Sequence, residues 1–178
     1  MKPSLKISKL DAAKRQLETV IRLYFSDCDP VSIHTLTAAA YNVIRDVSDK
    51  RHSPRMIVKG VLVNSVKPNY QKTFRCMLNE AENFFKHANE DLDATLDFDP
   101  EQSEILILDA CWQYLRLTGE WPPLFGVYQA WYVANRPRYF TLMLKQADAV
   151  QAAAPDAIAL GKQGFFNTML PLAMRIHT

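Results

Sequence analysis

Cysteine and glycine are scarce in this sequence, and their scarcity excludes several classes of protein. The 178 residues include 3 cysteines and 5 glycines, and no two cysteines form a CxxC pair. Three scattered thiols cannot build a disulfide framework, which favours a reducing compartment. The glycines form no phosphate-binding loop and no GxGxxG or GxSxG motif. The nucleotide-binding folds and hydrolases that need those turns are therefore excluded.

Long apolar runs are missing as well. No uncharged stretch approaches the ~20 apolar residues that cross a bilayer, and the N-terminal segment MKPSLKISKLDAAKR lacks the apolar region of a signal peptide. We therefore expect a cytoplasmic protein without a membrane partner. With 48% hydrophobic residues, residues 1–178 can bury the core of one domain, with residues 155–178 as a candidate C-terminal appendage.

Metal-binding patterns are also lacking. The chain has no HExxH motif, no ExxH pair and no cluster of cysteine with histidine. Those are the arrangements that place protein ligands around zinc or iron. The sequence therefore predicts no cofactor and no metal motif, and a metal could bind only if His34, Glu80, His87 and Asp91 converged from separate parts of the chain.

Charge is unevenly distributed along the chain. Residues 1–75 carry 14 Lys/Arg against 6 Asp/Glu, whereas residues 76–120 carry 2 against 11. Such asymmetry either creates a dipolar surface that steers a partner or neutralises itself where the two segments pack together. The sequence leaves both outcomes open, because the basic residues are dispersed and form no continuous block.

Start and stop signals divide the chain into helical segments. Capping residues precede three of them, at Ser8, Asp29 and Asp99, and Gly119 is placed to end a helix. The predicted helices cover residues 8–24, 30–47, 55–66, 70–89, 100–117, 124–134 and 138–154, with the last third divided at Gly161, Gly164 and Pro171. Segment 55–66 is rich in β-branched residues and is also compatible with a strand. The pattern predicts an all-α bundle of six to eight helices.

Two of these helices carry a polar stripe beside an apolar face. In helix 70–89 the predicted core face comprises Tyr70, Phe74, Met77, Ala81, Phe85 and Ala88, and the border comprises Glu80, His87 and Asp91. In helix 30–47 the predicted core face comprises Ile33, Leu36, Ala40, Ile44 and Val47, and the border comprises His34, Tyr41 and Arg45. The two borders supply the candidate ligand-binding residues.

Both stripes have two interpretations. If they face a shared cleft, His34 or His87 could act as acid, base or ligand, oriented by a carboxylate. Alternatively, they are ordinary border positions, where side chains with an apolar body and a polar tip are favoured on any amphipathic helix.

The cysteines and the aromatic residues between 112 and 132 are predicted to be structural. Cys76 neighbours the core face of its helix and Cys111 lies in an apolar run, and both positions are typical of buried thiols. The aromatic residues are expected to pack in the core, with an aromatic groove for a partner as the alternative.

Two phrases of the sequence resemble a known helical family. IHTLTAAAYNVIRD at 33–46 and NFFKHA at 83–88 resemble small all-helical bacterial proteins that carry no assigned activity. The resemblance covers most of residues 8–110, and it implies a fold and no function.

Asn83 and His87 are also similar to part of the signature of HEPN domains, helical bundles that often act as dimeric, metal-independent ribonucleases. That signature is an arginine, commonly followed by a polar residue, with a histidine four to six residues beyond. Glu82 occupies the arginine position, and its carboxylate would repel a phosphate. Arg45 and His52, with six residues between them, also fit the count. The resemblance implies that His87 acts as acid or base and that Asn83 orients it.

Three functional hypotheses follow. The first is a non-enzymatic interaction or ligand-binding module that acts with a protein partner or as a homodimer. The second is a HEPN-like protein that binds or cleaves RNA through His87. The third is a pocket for a small molecule or a metal between the helices of His34 and His87.

Overall fold

The computed structural model describes residues 4–88, 92–136, 138 and 156–176. Its α-helices are α1 (Lys9–Phe25), α2 (Pro30–Lys50), α3 (Val63–Ser65), α4 (Gln71–Lys86), α5 (Glu101–Thr118), α6 (Pro123–Ala134) and α7 (Gly161–Ile176). A π-helix, Ile57–Leu62, runs into α3, and a 3-10 turn, Pro68–Tyr70, precedes α4. No strand occurs in the described residues, and the prediction of an all-α bundle is confirmed.

Capping side chains start the first two long helices where the sequence predicts. The Ser8 hydroxyl accepts a hydrogen bond from the Asp11 amide over 3.0 Å, and the Asp29 carboxylate accepts one from the Ser32 amide over 2.8 Å. Each bond satisfies an amide that the first helical turn leaves without a partner. At the end of α5, Gly119 adopts a left-handed φ of 75°, which glycine reaches without the steric cost of a side chain.

Aromatic side chains join α1, α6 and α7 at the centre of the bundle. The Phe25 ring stacks on Phe166 with centroids 4.7 Å apart and meets Trp131 edge-on at 5.9 Å. Phe165 is fully buried and meets the same tryptophan at 5.1 Å. The core role predicted for Trp131 is therefore confirmed, and α7 is attached to the other helices through these rings.

The central helix is α2, which packs against α1, α4 and α5. Its predicted core face is confirmed at Ile33, Ala40 and Ile44. Burial also extends around the helix to His34 and Tyr41, which the sequence pattern put at the border. The wider burial follows from contacts with several neighbouring helices, which a single helical wheel cannot anticipate.

Residues 55–66 are largely helical, but their winding differs from the prediction. The helix begins at Ile57 and not directly after Ser53-Pro54, and its first six residues form a π-helix. The amides of Ile57 and Val58 donate to the Asp109 carboxylate of α5. A buried acceptor on another helix thus holds the start of the segment, a contact that local sequence does not reveal.

The end of α4 differs from the prediction. The helix stops at Lys86 and not near Asn89. His87 is extended, with φ −130° and ψ 132°, so it does not share a helical face with Glu80. The amide of His87 still donates to the Asn83 carbonyl over 3.0 Å, which makes it the last residue bonded to the helix.

The buried face of α4 is also rotated from its predicted position. Tyr70 and Met77, predicted to be core, are 59% and 62% exposed, and Ala88 is exposed as well, whereas the prediction for Ala81 is confirmed. Cys76, predicted to be a buried thiol, is exposed, whereas the prediction for Cys111 is confirmed. Glu82 is buried instead, because it forms ion pairs inside the protein. Hydrophobicity alone therefore misplaces this face.

Residues 161–176 are more regular than predicted. Gly164 and Pro171 lie inside α7 and do not divide it. Phe165 and Met169 of this helix are fully buried, and packing of this kind offsets the low helix propensity of glycine and proline. Apart from its first residue, Arg138, the predicted helix 138–154 lies outside the described residues.

Candidate functional site

A buried carboxylate organises the start of the π-helix. Asp109 of α5 accepts hydrogen bonds from the Ile57 amide at 3.0 Å, the Val58 amide at 2.9 Å and the Tyr41 hydroxyl at 2.7 Å. The Tyr41 oxygen in turn accepts from the Lys59 amide at 3.0 Å. Burial, followed by the Asp109 charge, raises the pKa of Tyr41. The phenol is therefore a neutral hydrogen-bonding link between α2, α5 and the π-helix.

The side chain of Lys59, which follows Val58 in the π-helix, extends toward α4. Its ammonium lies 2.8 Å from Glu82 Oε2, and the Lys86 ammonium lies 2.7 Å from Glu82 Oε1. Asn42 of α2 also donates to the Glu82 carboxylate. Burial lowers the pKa of Lys59 despite its carboxylate partner. Burial alone would raise the pKa of Glu82, but its hydrogen bonds from the two lysines lower the pKa to about 2.

A basic cleft of about 570 Å³ opens beside Lys59. Its basic side chains come from α2, from the connection that follows α2, from the π-helix and from α4: Arg45, His52, Arg55, Lys59 and Arg75. An adjoining cavity of about 230 Å³ is lined by three of the same cations, Arg45, Lys59 and Arg75. The two spaces therefore share one cationic wall.

Local backbone geometry explains how these residues reach the cleft. Arg45 and Asp49 lie four residues apart on α2, so both side chains emerge on one side of that helix. His52 follows the end of α2 with a left-handed φ of 52°, which turns the chain back toward Arg55. At Gly60 an added Cβ would lie 3.1 Å from the Cβ of Arg55, so the glycine leaves room for that side chain.

Two of the four Lys and Arg side chains in the cleft have no carboxylate partner among the described residues, while Lys59 is paired with Glu82. Asp49 is the single acidic residue of the cleft lining. Arg45 pairs with the exposed Asp46 at 3.2 Å, whereas Arg55 and Arg75 form no ion pair with any residue that the structure describes. A concave surface with this imbalance attracts anions.

The candidate histidine of α2 is not in this cleft. His34 is 2% exposed, and its Nδ1 lies 3.0 Å from the Ser103 hydroxyl. Its ring meets the rings of Phe98 at 5.0 Å and Phe85 at 5.8 Å. Burial, followed by the charge of Lys59, lowers the pKa of His34 to about 4. His34 is therefore a neutral packing residue near pH 7, and ligand binding there would require it to leave these contacts.

The candidate residues at 80–87 lie neither in the basic cleft nor beside His34, but in a separate groove. Glu80, Asn83 and His87 line this groove of about 790 Å³ together with apolar side chains such as Met77 and Leu96. Asp91 lies outside the described residues. The candidates thus separate into three places: Arg45 is in the basic cleft, His34 and Tyr41 are buried, and Glu80, Asn83 and His87 are in the groove.

Sequence reasoning missed four charged residues of the cleft: Asp49, Arg55, Lys59 and Arg75. The sequence did show an excess of basic residues before position 76, but it did not show where in the fold these side chains meet. A second signal was the spacing of Arg45 and His52, which line the cleft together.

The chain offers few further indications of function. In the part that the structure describes, no three His, Cys, Asp or Glu side chains could together hold a metal ion. None of the described helices has the length and apolar character needed to cross a membrane. The chain matches no protein-family model, no curated protein and no solved structure. Its function must therefore be argued from the chemistry of the site.

Proposed function

We propose that the protein is a ligand-binding module whose cleft takes a phosphate-bearing ligand. The observation that carries this proposal is the convergence of Arg45, Arg55, Lys59 and Arg75 on one cleft, against the single carboxylate of Asp49. A cleft of about 570 Å³ falls in the size range of small-molecule sites. The cations raise the local concentration of anions and speed their arrival.

The chemistry of arginine favours phosphate among these anions. A guanidinium presents donors in a planar fork that matches two oxygens of a phosphate, and it stays charged at all physiological pH values. Arg55 and Arg75 reach the cleft from different elements and are not committed to ion pairs with described residues. They are therefore available to bind two sides of one phosphate group or two neighbouring groups.

The π-helix and Lys59 form the inner wall of the cleft. Buried contacts fix both of them, which favours ligand binding. Asp109 fixes the first turn of the π-helix, and Glu82 fixes the ammonium of Lys59. A wall whose side chains are ordered before binding loses less conformational entropy when a ligand arrives.

The residues of the cleft favour binding over catalysis. Its lining includes no cysteine, and it has His52 as its one histidine. Neither His52 nor Ser53 forms a side-chain hydrogen bond with another described residue, so no activated nucleophile is present among them. We therefore propose a non-enzymatic module that acts through a partner protein or a second copy of itself.

A pair of charge-reversal variants tests this proposal. Inorganic pyrophosphate is titrated calorimetrically at low salt into the wild type, Arg75→Glu and Lys72→Glu. Lys72 is an exposed residue of the same helix that does not line the cleft, so both variants change the net charge equally. We expect Arg75→Glu to abolish binding and Lys72→Glu to retain most of it. Equal weakening in both variants would mean that binding reflects net charge, and the proposed site would be rejected.

RNA is the second candidate ligand, and one observation favours it. Arg45 and His52, which fit the spacing of the HEPN signature, line the same cleft. Asn83 and His87, the other pair similar to that signature, line the groove on α4 without an arginine. If the protein acts on RNA, we propose that Arg45 binds phosphate and that His52 serves as the acid or base.

This second candidate is tested by incubating single-stranded RNA with the wild type, His52→Ala and His87→Ala in the presence of a chelator. The RNA hypothesis predicts cleavage that His52→Ala abolishes and His87→Ala preserves. Absence of cleavage by the wild type, or loss only in His87→Ala, would contradict this assignment.

A further inference from the structure

Asp49 is the unexpected residue of the basic cleft. It is exposed and lies four residues after Arg45 on α2, in a cleft lined by three arginines and a lysine. Even so, no ion pair among the described residues includes it. Its carboxylate therefore keeps its capacity to accept hydrogen bonds inside a site whose other charges attract anions.

A carboxylate beside bound phosphate is unfavourable unless the ligand gives it a hydrogen-bond donor. Phosphate oxygens accept hydrogen bonds and repel the carboxylate, whereas an alcohol hydroxyl can donate to it. Ser53 and Asn64 also line this cleft, and their side chains can both donate to and accept from hydroxyl groups. The cleft thus combines groups that suit phosphate with groups that suit an alcohol.

Nucleic-acid bases, by contrast, would meet only one aromatic ring in this cleft, the imidazole of His52. Neither Phe, Tyr nor Trp is among the lining residues. Proteins that hold single-stranded nucleic acid usually stack the bases on such rings. A small ligand without a base agrees better with this lining and with a volume of about 570 Å³.

We infer that the cleft binds a small phosphorylated polyol, of the chemical class of the sugar phosphates. Its phosphate contacts Arg55 and Arg75, and a hydroxyl donates to Asp49. The inference rests on the proposed phosphate-binding function, and it adds that the ligand carries a hydroxyl group recognised by Asp49. It concerns binding alone and requires no chemical change in the ligand.

The test compares ligands that carry a phosphate and hydroxyl groups with ligands that lack one of the two. Glucose 6-phosphate, ribose 5-phosphate, glycerol 3-phosphate, inorganic phosphate and glucose are titrated into the wild type at fixed ionic strength. We expect at least one sugar phosphate or glycerol phosphate to bind about tenfold more tightly than inorganic phosphate, the gain of one hydrogen bond to a charged group. Glucose alone should show no binding, because it lacks the charged anchor.

The Asp49→Asn variant tests whether the Asp49 carboxylate accepts a hydrogen bond from a ligand hydroxyl or only repels the phosphate. If Asp49 accepts a hydroxyl, the variant binds the phosphorylated polyol about tenfold more weakly, yet binds inorganic phosphate as well as or better than the wild type. Glu80→Gln is the matched control, because it removes one carboxylate from the groove on α4 and none from the cleft. It should change neither affinity.

Each contrary result has a separate meaning. If Asp49→Asn strengthens both affinities while Arg75→Glu still abolishes them, the cleft binds phosphate but the polyol inference is overturned. The inference is also overturned if single-stranded RNA binds more tightly than every phosphorylated polyol and Asp49→Asn strengthens that binding. If no phosphate compound binds, or Arg75→Glu has no effect, the proposed function fails together with the inference.

Discussion

The Lys59 ammonium lies 2.8 Å from the Glu82 carboxylate at the buried contact between the π-helix and α4. This ion pair joins residues that are 23 positions apart, and it lies on the face of α4 that is turned inward. It also leaves Lys59 at the wall of the basic cleft. The packing of α4 and the shape of the candidate site therefore depend on the same contact.

Removing the carboxylate of this pair should destabilise the fold strongly. In Glu82→Leu the Lys59 side chain, 4% exposed, loses its counter-charge, which costs about 3–5 kcal/mol of unfolding free energy. Lys86→Met is the matched control, because the Lys86 side chain is 33% exposed and its pair is worth less than about 1 kcal/mol. Urea unfolding measures both values. A Glu82→Leu cost as small as that of Lys86→Met would contradict the role given to this pair.

The buried histidine should make stability depend on pH. Because the pKa of His34 is lowered to about 4 in the folded protein from an ordinary 6.5, the unfolded state takes up the proton first. Stability is then lost as pH falls from 6.5 to 4, by up to about 3 kcal/mol. We expect His34→Gln to lack this loss. Its unfolding free energy would still fall below pH 4.5, where Glu82 becomes protonated in the unfolded state before the folded state. An unchanged slope between pH 6.5 and 4 in His34→Gln would refute this assignment.

The Tyr41 hydroxyl should contribute to stability through its two hydrogen bonds. Tyr41→Phe removes the donor to Asp109 and the acceptor for the Lys59 amide, and we expect a cost of about 1–3 kcal/mol. Tyr70→Phe removes an exposed hydroxyl and should change stability by less than about 0.5 kcal/mol. Thermal unfolding of the two variants compares them directly, and equal melting temperatures would argue against the link through Asp109.

The left-handed residue of the cleft offers a variant that alters the site without harming the fold. His52 has φ 52°, a conformation that costs a non-glycine residue free energy. His52→Gly should therefore leave the unfolding free energy unchanged or raise it by about 1 kcal/mol. It should also weaken pyrophosphate binding several-fold, because a ring donor is lost. Strong destabilisation, or full affinity, would show that His52 has a different role.

Sequence reasoning succeeds where the determining contacts are local. The bonds of Ser8 and Asp29 with amides three residues ahead start α1 and α2 where predicted, and the left-handed Gly119 ends α5 as expected. These features depend on a few consecutive residues, so the printed sequence contains all the information that is needed.

The same reasoning fails where the contact partner is distant in the chain. The helical wheel of α4 selected Met77 for the core, whereas the ion pair with Lys59 buries Glu82 instead. The hydrogen bonds to Asp109, more than 50 positions away, hold the start of the π-helix. The cleft itself combines side chains from several elements, so the sequence signals for it were limited to the excess of basic residues before position 76 and the local spacing of Arg45 and His52.

A phosphate bound in the basic cleft can be located directly by NMR. Arginine side-chain spectra of 15N-labelled protein are recorded while inorganic pyrophosphate is added at fixed ionic strength. If the cleft binds phosphate, the Arg55 and Arg75 signals should show saturable shifts with a common dissociation constant. Arg22, an exposed residue of α1 outside the cleft, should show no saturable shift. Small, non-saturating shifts spread evenly over all three arginines would contradict a phosphate site in the basic cleft.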